Sequence, residues 1–336
     1  MAGWNLKKGE LNQKEIPEES LWMHFNRFFS DNSKKRNTYK FGFIKAILDN
    51  VFNVVCNDGM YYLSYKILFA KFTENYWNLV LKYHLKQMRK DGKSDTSKIE
   101  SILETYLYKY PAAAFLEFES IKADDRDQII SSVEVECKKY VIGALYKDFD
   151  GCLYGFDLKD SGIYLGKSAY DFILKYKPDL EDLNYYAWAK FLEKINTDDA
   201  ILRVIDKLEL ASPKRSNLSV YREMLYKEFE EHNCFYCGKK LNRKIHVDHF
   251  IPWSFVKDDK IWNFVLSCDK CNEKKNNKLP AAAFIDRIVT RNEIIKASKI
   301  LDEEFSSYNA DTINTIWKYA KQSGLREFSI ERKADL

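Results

Sequence analysis

Glycine and proline are scarce, 12 and 6 residues in 336. So few backbone breakers cannot supply a fold made mainly of tight turns, so an all-β sandwich or barrel is disfavoured and a mainly helical chain is expected. The opening residues MAGWNLKKGELNQKE hold no apolar stretch of the signal-peptide kind, and no later window approaches the long uncharged run that a membrane span needs. A soluble, cytoplasmic protein without a membrane partner is the expectation. Cysteines number seven, and an odd count without a secretory signal argues against a disulfide framework. Net charge is also small, at +4.

Aromatic residues are plentiful. With 22 Tyr and 22 Phe, much of the apolar mass sits in rings, which excludes a disordered chain, and the length allows two or three domains. The charge is unevenly spread. Residues 234 to 280 carry ten lysines and arginines against five acidic residues, 281 to 336 carry nine of each, and the first 233 residues sum to −1. The whole basic excess therefore lies on one short segment, where a polyanion would be neutralised. A solvated lysine-rich loop has the same composition, so charge alone does not decide.

Along the chain, Leu21, Trp22, Phe25, Phe28 and Phe29 recur at helical spacing, with Ser20 as an N-cap candidate, and TYKFGFIKAILDNVF reads as a second helix. Between them, Lys34, Lys35 and Arg36 stand beside Tyr39, as a phosphate contact or a solvated loop. Helical patterns follow over 61–90 and 96–110, then over 168–177, 180–196 and 197–211. Residues 134–166, with alternating apolar residues and five glycines from Gly143 to Gly166, read as a short β insertion. The polar, proline-containing run 212–217 reads as a linker. That divides the chain into a mostly helical region, 1–211, for substrate selection, oligomerisation or partner binding, and a second domain, 218–336, that closes on two amphipathic helices. The fold class expected is mainly α with a small α+β part.

The most informative stretch is CFYCGKKLNRKIHVDHFIPWSFVKDDKIWNFVLSCDKCNEKKN, from Cys234 to Asn276. Two Cys-x-x-Cys pairs, Cys234/Cys237 and Cys268/Cys271, have the spacing of two knuckles that together make a closed, tetrahedral four-cysteine site for structural Zn2+. Gly238 suits the tight turn of the first knuckle. Between the pairs, RKIHVDH reads as a strand with Ile245 and Val247 on one face and His246 and Asp248 on the other; FVLS reads as its partner, and Cys271 onward as a short helix. The product is a ββα unit with too small a core to stand without its metal. At the end of the first strand, Asp248 and His249 leave the backbone in different directions, so one can face a cation and the other a water.

Asp248-His249, two apolar residues and Pro252, then Asn263, then Cys-x-x-Cys-Asn ending at Asn272, resembles the HNH nuclease family over residues 234 to 280, with Asn in the third signature position. The resemblance implies a zinc-stapled ββα-metal endonuclease domain acting on DNA. It makes His249 the general base and Asn263 the residue that orients the base or its loop; Asp248 and Asn272 become the ligands of a catalytic Mg2+ or Mn2+. Lys275 falls where the family carries a basic residue near the DNA backbone, and Lys239, Lys240, Arg243 and Lys244 form a plausible phosphate track. A bacterial restriction or anti-phage enzyme is the setting implied, self-sufficient or released by a sensor or activator protein. Double-strand cleavage by one such site calls for a homodimer. A non-catalytic zinc module that binds nucleic acid or protein, and an RNase using the same site, remain alternatives from the sequence.

Overall fold

The computed structural model describes residues 5–12, 15–30, 35–90, 96–211, 218–227, 232–241, 244–299 and 301–330. The chain divides into two compact units, Met1–Lys214 and Arg215–Leu336. Residues 212–217, read as a linker, lie outside the described residues, as do Lys34 and Arg243. Among the described residues no helix is long and apolar enough to cross a membrane.

The first unit packs helices around a small antiparallel sheet. Its strands are β1 (Lys8–Gly9), β2 (Val55–Asn57), β3 (Met60–Ser64), β4 (Gly155–Asp157) and β5 (Gly162–Leu165), in the order β1-β4-β5-β3-β2. Two of these, β4 and β5, fall inside the span read as β. The rest of that span is corrected: Ala123–Tyr140 and Ile142–Asp148 are helices. VEVEC satisfies both periods, and burial decides between them. Ile129, Ile130, Val133 and Cys137 are buried along one helical stripe, whereas Val135, which a strand would bury with Val133, is 55% exposed.

The expected helix over 61–90 is likewise shortened. Asp58 and Gly59 both take positive φ, +49° and +77°, the mirror-image turn geometry that joins β2 to β3. The helix begins only at Tyr65, where the Ser64 hydroxyl accepts the Ile67 N–H; it runs to Trp77 and ends in one wider π turn over Asn78–Lys82. Glu18–Phe29 is a helix that starts directly after Pro17 with no side-chain cap, so Ser20 lies inside its first turn, and Tyr39–Asp49 follows. Lys167–Glu193 is continuous except for a kink at Tyr176, because Pro178 lacks an N–H and crowds the preceding turn.

Phe25, Phe43, Phe69, Phe72, Tyr76 and Trp188 are among the rings at the centre of this core. Also buried are Lys45, which pairs with Asp49 and Glu181, and Lys177, which donates to Glu181 at 2.9 Å. Each of these four charges thus faces an opposite one, the condition under which buried charge is tolerated. Cys137 and Cys152 are buried as expected of small apolar residues, but Cys56 is exposed.

In the second unit, β6 (Ile245–His249) and β7 (Phe264–Cys268) form an antiparallel pair in which Ile245 faces Cys268 and His249 faces Phe264. The helix Asp269–Lys275 continues directly from β7, completing the ββα unit. Ser219–Lys227 packs on both strands, with Tyr221 against Phe264. A parallel pair, β8 (Leu279–Pro280) with β9 (Glu327–Phe328), ties the end of the motif to the C-terminal helices Ile285–Ser298 and Ala310–Gln322. Trp317 donates its indole N–H to Pro280 O at 2.8 Å, and Asn292 Nδ2 donates to Trp262 O at 2.9 Å. These bonds make the later helices a support for the hairpin.

Candidate functional site

The four motif cysteines meet in space. The Sγ atoms of Cys234, Cys237, Cys268 and Cys271 all lie within 4.8 Å of one another, and Cys237 and Cys268 are 3.8 Å apart. A tetrahedral zinc with bonds of about 2.3 Å needs sulfurs about 3.8 Å apart, so the cluster fits Zn2+. The first knuckle is built by backbone: Gly238 N–H bonds Cys234 O at 2.9 Å with Gly238 at φ +72°, and Cys234 N–H bonds Lys239 O at 2.8 Å. Phe235 N–H reaches Leu266 O at 2.9 Å, which fixes the knuckle to β7. Burial raises the thiols of Cys234 and Cys271. Burial acts on Cys268 in the same sense, but the Cys271 N–H and the neighbouring thiols outweigh it and hold Cys268 low. Cys268 is therefore easier to ionise than Cys234 and Cys271.

At the far end of β6 the neighbouring side chains part. Asp248 turns inward, where Oδ2 accepts the Tyr236 hydroxyl at 2.6 Å and Lys275 Nζ lies 3.2 Å from Oδ1 and 3.1 Å from Oδ2. His249 turns the other way, its ring edge-on to Phe264 at 4.6 Å and its Nε2 2.8 Å from Asp259 Oδ1. Past His249, Asn263 holds the turn: Oδ1 accepts Ile251 N–H at 2.8 Å, Nδ2 donates to Ile251 O at 3.0 Å, and its own carbonyl accepts Phe250 N–H at 2.7 Å. A fully buried asparagine with both ends satisfied fixes a loop better than any apolar residue of its size.

A family model described as HNH endonuclease matches residues 234–281. That segment is an HNH domain. Comparison with curated proteins and with solved structures returns no match.

Within the HNH domain, Asn263 contacts the loop that follows the imidazole; the side chain that hydrogen-bonds the imidazole itself is Asp259. Asn272 lies half-buried on the helix Asp269–Lys275, and its side-chain amide has no hydrogen-bond partner among the described residues. Among the described residues, Asp248 Oδ1 receives only the Lys275 ammonium. Each carries a hard oxygen donor of the kind that suits Mg2+ or Mn2+.

Lys275, expected beside a DNA backbone, is a correction. It is fully buried, donates to His249 O at 2.7 Å and pairs with Asp248. Burial lowers its pKa, and the Asp248 carboxylate opposes that shift. As the last residue of a short helix packed on β6, its side chain is directed back over the hairpin instead of outward. Lys239, Lys240 and Lys244 are exposed, with Lys244 3.8 Å from Asp269. His246 also meets Asp269, at 2.9 Å, and belongs to the strand-to-helix packing.

Two residues escaped sequence reasoning. Tyr236 lies between the first pair of knuckle cysteines, where burial and then the Asp248 charge push its hydroxyl well above the usual phenol range, so it stays a donor. Asp259 was one of two adjacent acids in a polar loop. The sole signal available for it was a carboxylate lying between the Asp-His pair and Asn263.

Proposed function

We propose that the protein is a metal-dependent endonuclease that hydrolyses DNA phosphodiester bonds, with His249 as general base. The observation that carries this reading is the divergence of Asp248 and His249 at the end of β6, inside the segment that matches the HNH endonucleases. Adjacent residues facing opposite sides can serve a cation and an attacking water without competing for either.

Asp248 and Asn272 would hold the catalytic Mg2+ or Mn2+. When bound, such a cation neutralises charge on the phosphate and on the departing 3′ oxygen. His249 accepts the proton of the attacking water, leaving 5′-phosphate and 3′-hydroxyl ends. Asn263 keeps the 250–263 loop in the conformation that presents His249. Exposed Lys239, Lys240 and Lys244 would meet the phosphates, a contact that fixes register but reads no sequence. Zn2+ in the four-cysteine cluster has a structural role, since four sulfurs leave no position for substrate.

Met1–Lys214, with a core of its own, would select the substrate or receive a sensor or activator protein, in a restriction or anti-phage setting. Cutting both strands would require two copies of the site. The test is supercoiled plasmid incubated with the wild-type protein and with His249→Ala, in Mg2+, in Mn2+ and in EDTA. Nicked or linear product formed by the wild type alone, and abolished by EDTA, is expected. Equal product from both proteins would remove His249 from the reaction. Parallel single-stranded DNA and RNA substrates decide the substrate class.

A further inference from the structure

We infer that Asp259 is the positioning residue of the general base: it holds His249 through Nε2 and so reserves Nδ1 for the attacking water. This rests on the nuclease reading given above. A neutral imidazole carries one N–H, and an ionised carboxylate can only accept, so the nitrogen 2.8 Å from Asp259 Oδ1 is the one bearing hydrogen. The lone pair is then on Nδ1, the nitrogen nearer the backbone at the end of β6.

The surroundings make this bond an orienting one. Both side chains are nearly enclosed, His249 9% and Asp259 8% exposed, so water competes little for either partner. The ring is held in a second direction by the edge-on contact with Phe264. The loop is shaped to deliver the carboxylate: after the helical turn Trp253–Val256, Lys257 takes φ +49° and reverses the chain, and Asp259 N–H donates to Asp258 Oδ1 at 2.9 Å. The 3-10 turn Ile261–Asn263 then returns the chain to β7. Asn263 cannot take the role itself, because both ends of its amide are engaged by Ile251. Two side chains thus divide the work, Asn263 holding the loop and Asp259 the ring.

The test compares Asp259→Ala and Asp259→Asn with the wild type in full-length, zinc-loaded protein. Asparagine keeps the volume and an acceptor oxygen, so it serves as the conservative rescue. Plasmid cleavage is expected to lose about 100-fold in kcat in Asp259→Ala with KM unchanged, and to recover in part in Asp259→Asn. A rise in KM with kcat intact would make Asp259 a DNA contact and overturn the inference. Long-range 1H–15N spectra provide a readout independent of cleavage. At about pH 9, where an ordinary imidazole is neutral, the ring assigned through His249→Gln is expected as the Nε2–H tautomer with its Nε2 proton shifted and slowed in exchange by the bond to Asp259, and both effects should be lost in Asp259→Ala. An Nδ1–H tautomer, or a spectrum unmoved by Asp259→Ala, would overturn the inference whether or not the plasmid is cut. Failure of the wild type to cut any nucleic acid would instead sink the nuclease reading.

Discussion

The hydroxyl of Tyr236 donates to Asp248 Oδ2 at 2.6 Å, and Tyr236 stands between Cys234 and Cys237. The knuckle that can hold zinc therefore also holds the carboxylate proposed for the catalytic cation. The two metal sites share a polar contact as well as a stretch of sequence.

Removing that hydroxyl separates the two. Tyr236→Phe leaves all four sulfurs in place, so zinc content should stay at one per chain. A buried hydrogen bond to a charged group is worth about 1.5 to 3 kcal/mol, and stability should fall by that order. Cleavage should fall as well, because Asp248 keeps only Lys275 to orient it. Denaturant titration, a colorimetric zinc assay and the plasmid assay check the three outcomes. A drop in zinc content in Tyr236→Phe would mean that the hydroxyl serves the knuckle and not Asp248.

Withdrawing zinc should act on one unit only. Binding energy at a four-cysteine site is largely folding energy, so Cys268→Ser or a strong zinc chelator should abolish the melting transition of 215–336. The transition of 1–214, which buries its own aromatic core, should persist. Scanning calorimetry of the full chain checks this. Disappearance of both transitions together would show that the units unfold as one.

Lysines of the motif should fall into two kinds. Lys275→Met strands a nearly buried Asp248 without its cation, and breaking such a pair costs about 3 to 5 kcal/mol. Exposed Lys239 and Lys240 should behave oppositely when both are changed to Ala, with stability altered by less than about 0.5 kcal/mol. For DNA binding the slope of log K against log salt should shrink by about 0.9 for every phosphate that the variant no longer neutralises. Chemical denaturation and binding isotherms at several salt concentrations distinguish them. An unchanged slope would take Lys239 and Lys240 off the DNA.

Acid should weaken the first unit through His24. Burial, and then the Arg27 charge, lower its pKa in the folded chain below the ordinary 6.5, with Asp150 opposing. Between the folded value and 6.5 the unfolded chain binds more protons, so stability declines as pH falls through that window. His24→Gln should flatten the decline in thermal melts over that range. A decline that persists in the variant would assign it to other groups.

What could be read along the chain was local. The cysteine spacing announced a four-sulfur cluster, and the alternation in RKIHVDH and FVLS announced β6 and β7, because a knuckle and a half-buried strand each leave their period within a few residues. The same locality misled over 134–148, where VEVEC fits two periods. It also misled over 61–64, read as the start of a helix from ring spacing but held as strand β3 by the Asp58-Gly59 turn that precedes it.

The sequence by itself therefore determined the ββα unit, its sulfur cluster and the mainly helical character of the rest. Tertiary structure decided which strands join the five-stranded sheet, since β1 pairs with β4 across roughly 150 residues and no local period encodes that. It also decided that Lys275 faces Asp248 rather than solvent, and that Asp259, not Asn263, reaches the imidazole. A residue's type limits the bonds it can make; which bond it makes is set by what the fold brings within about 3 Å, and most of that comes from elsewhere in the chain.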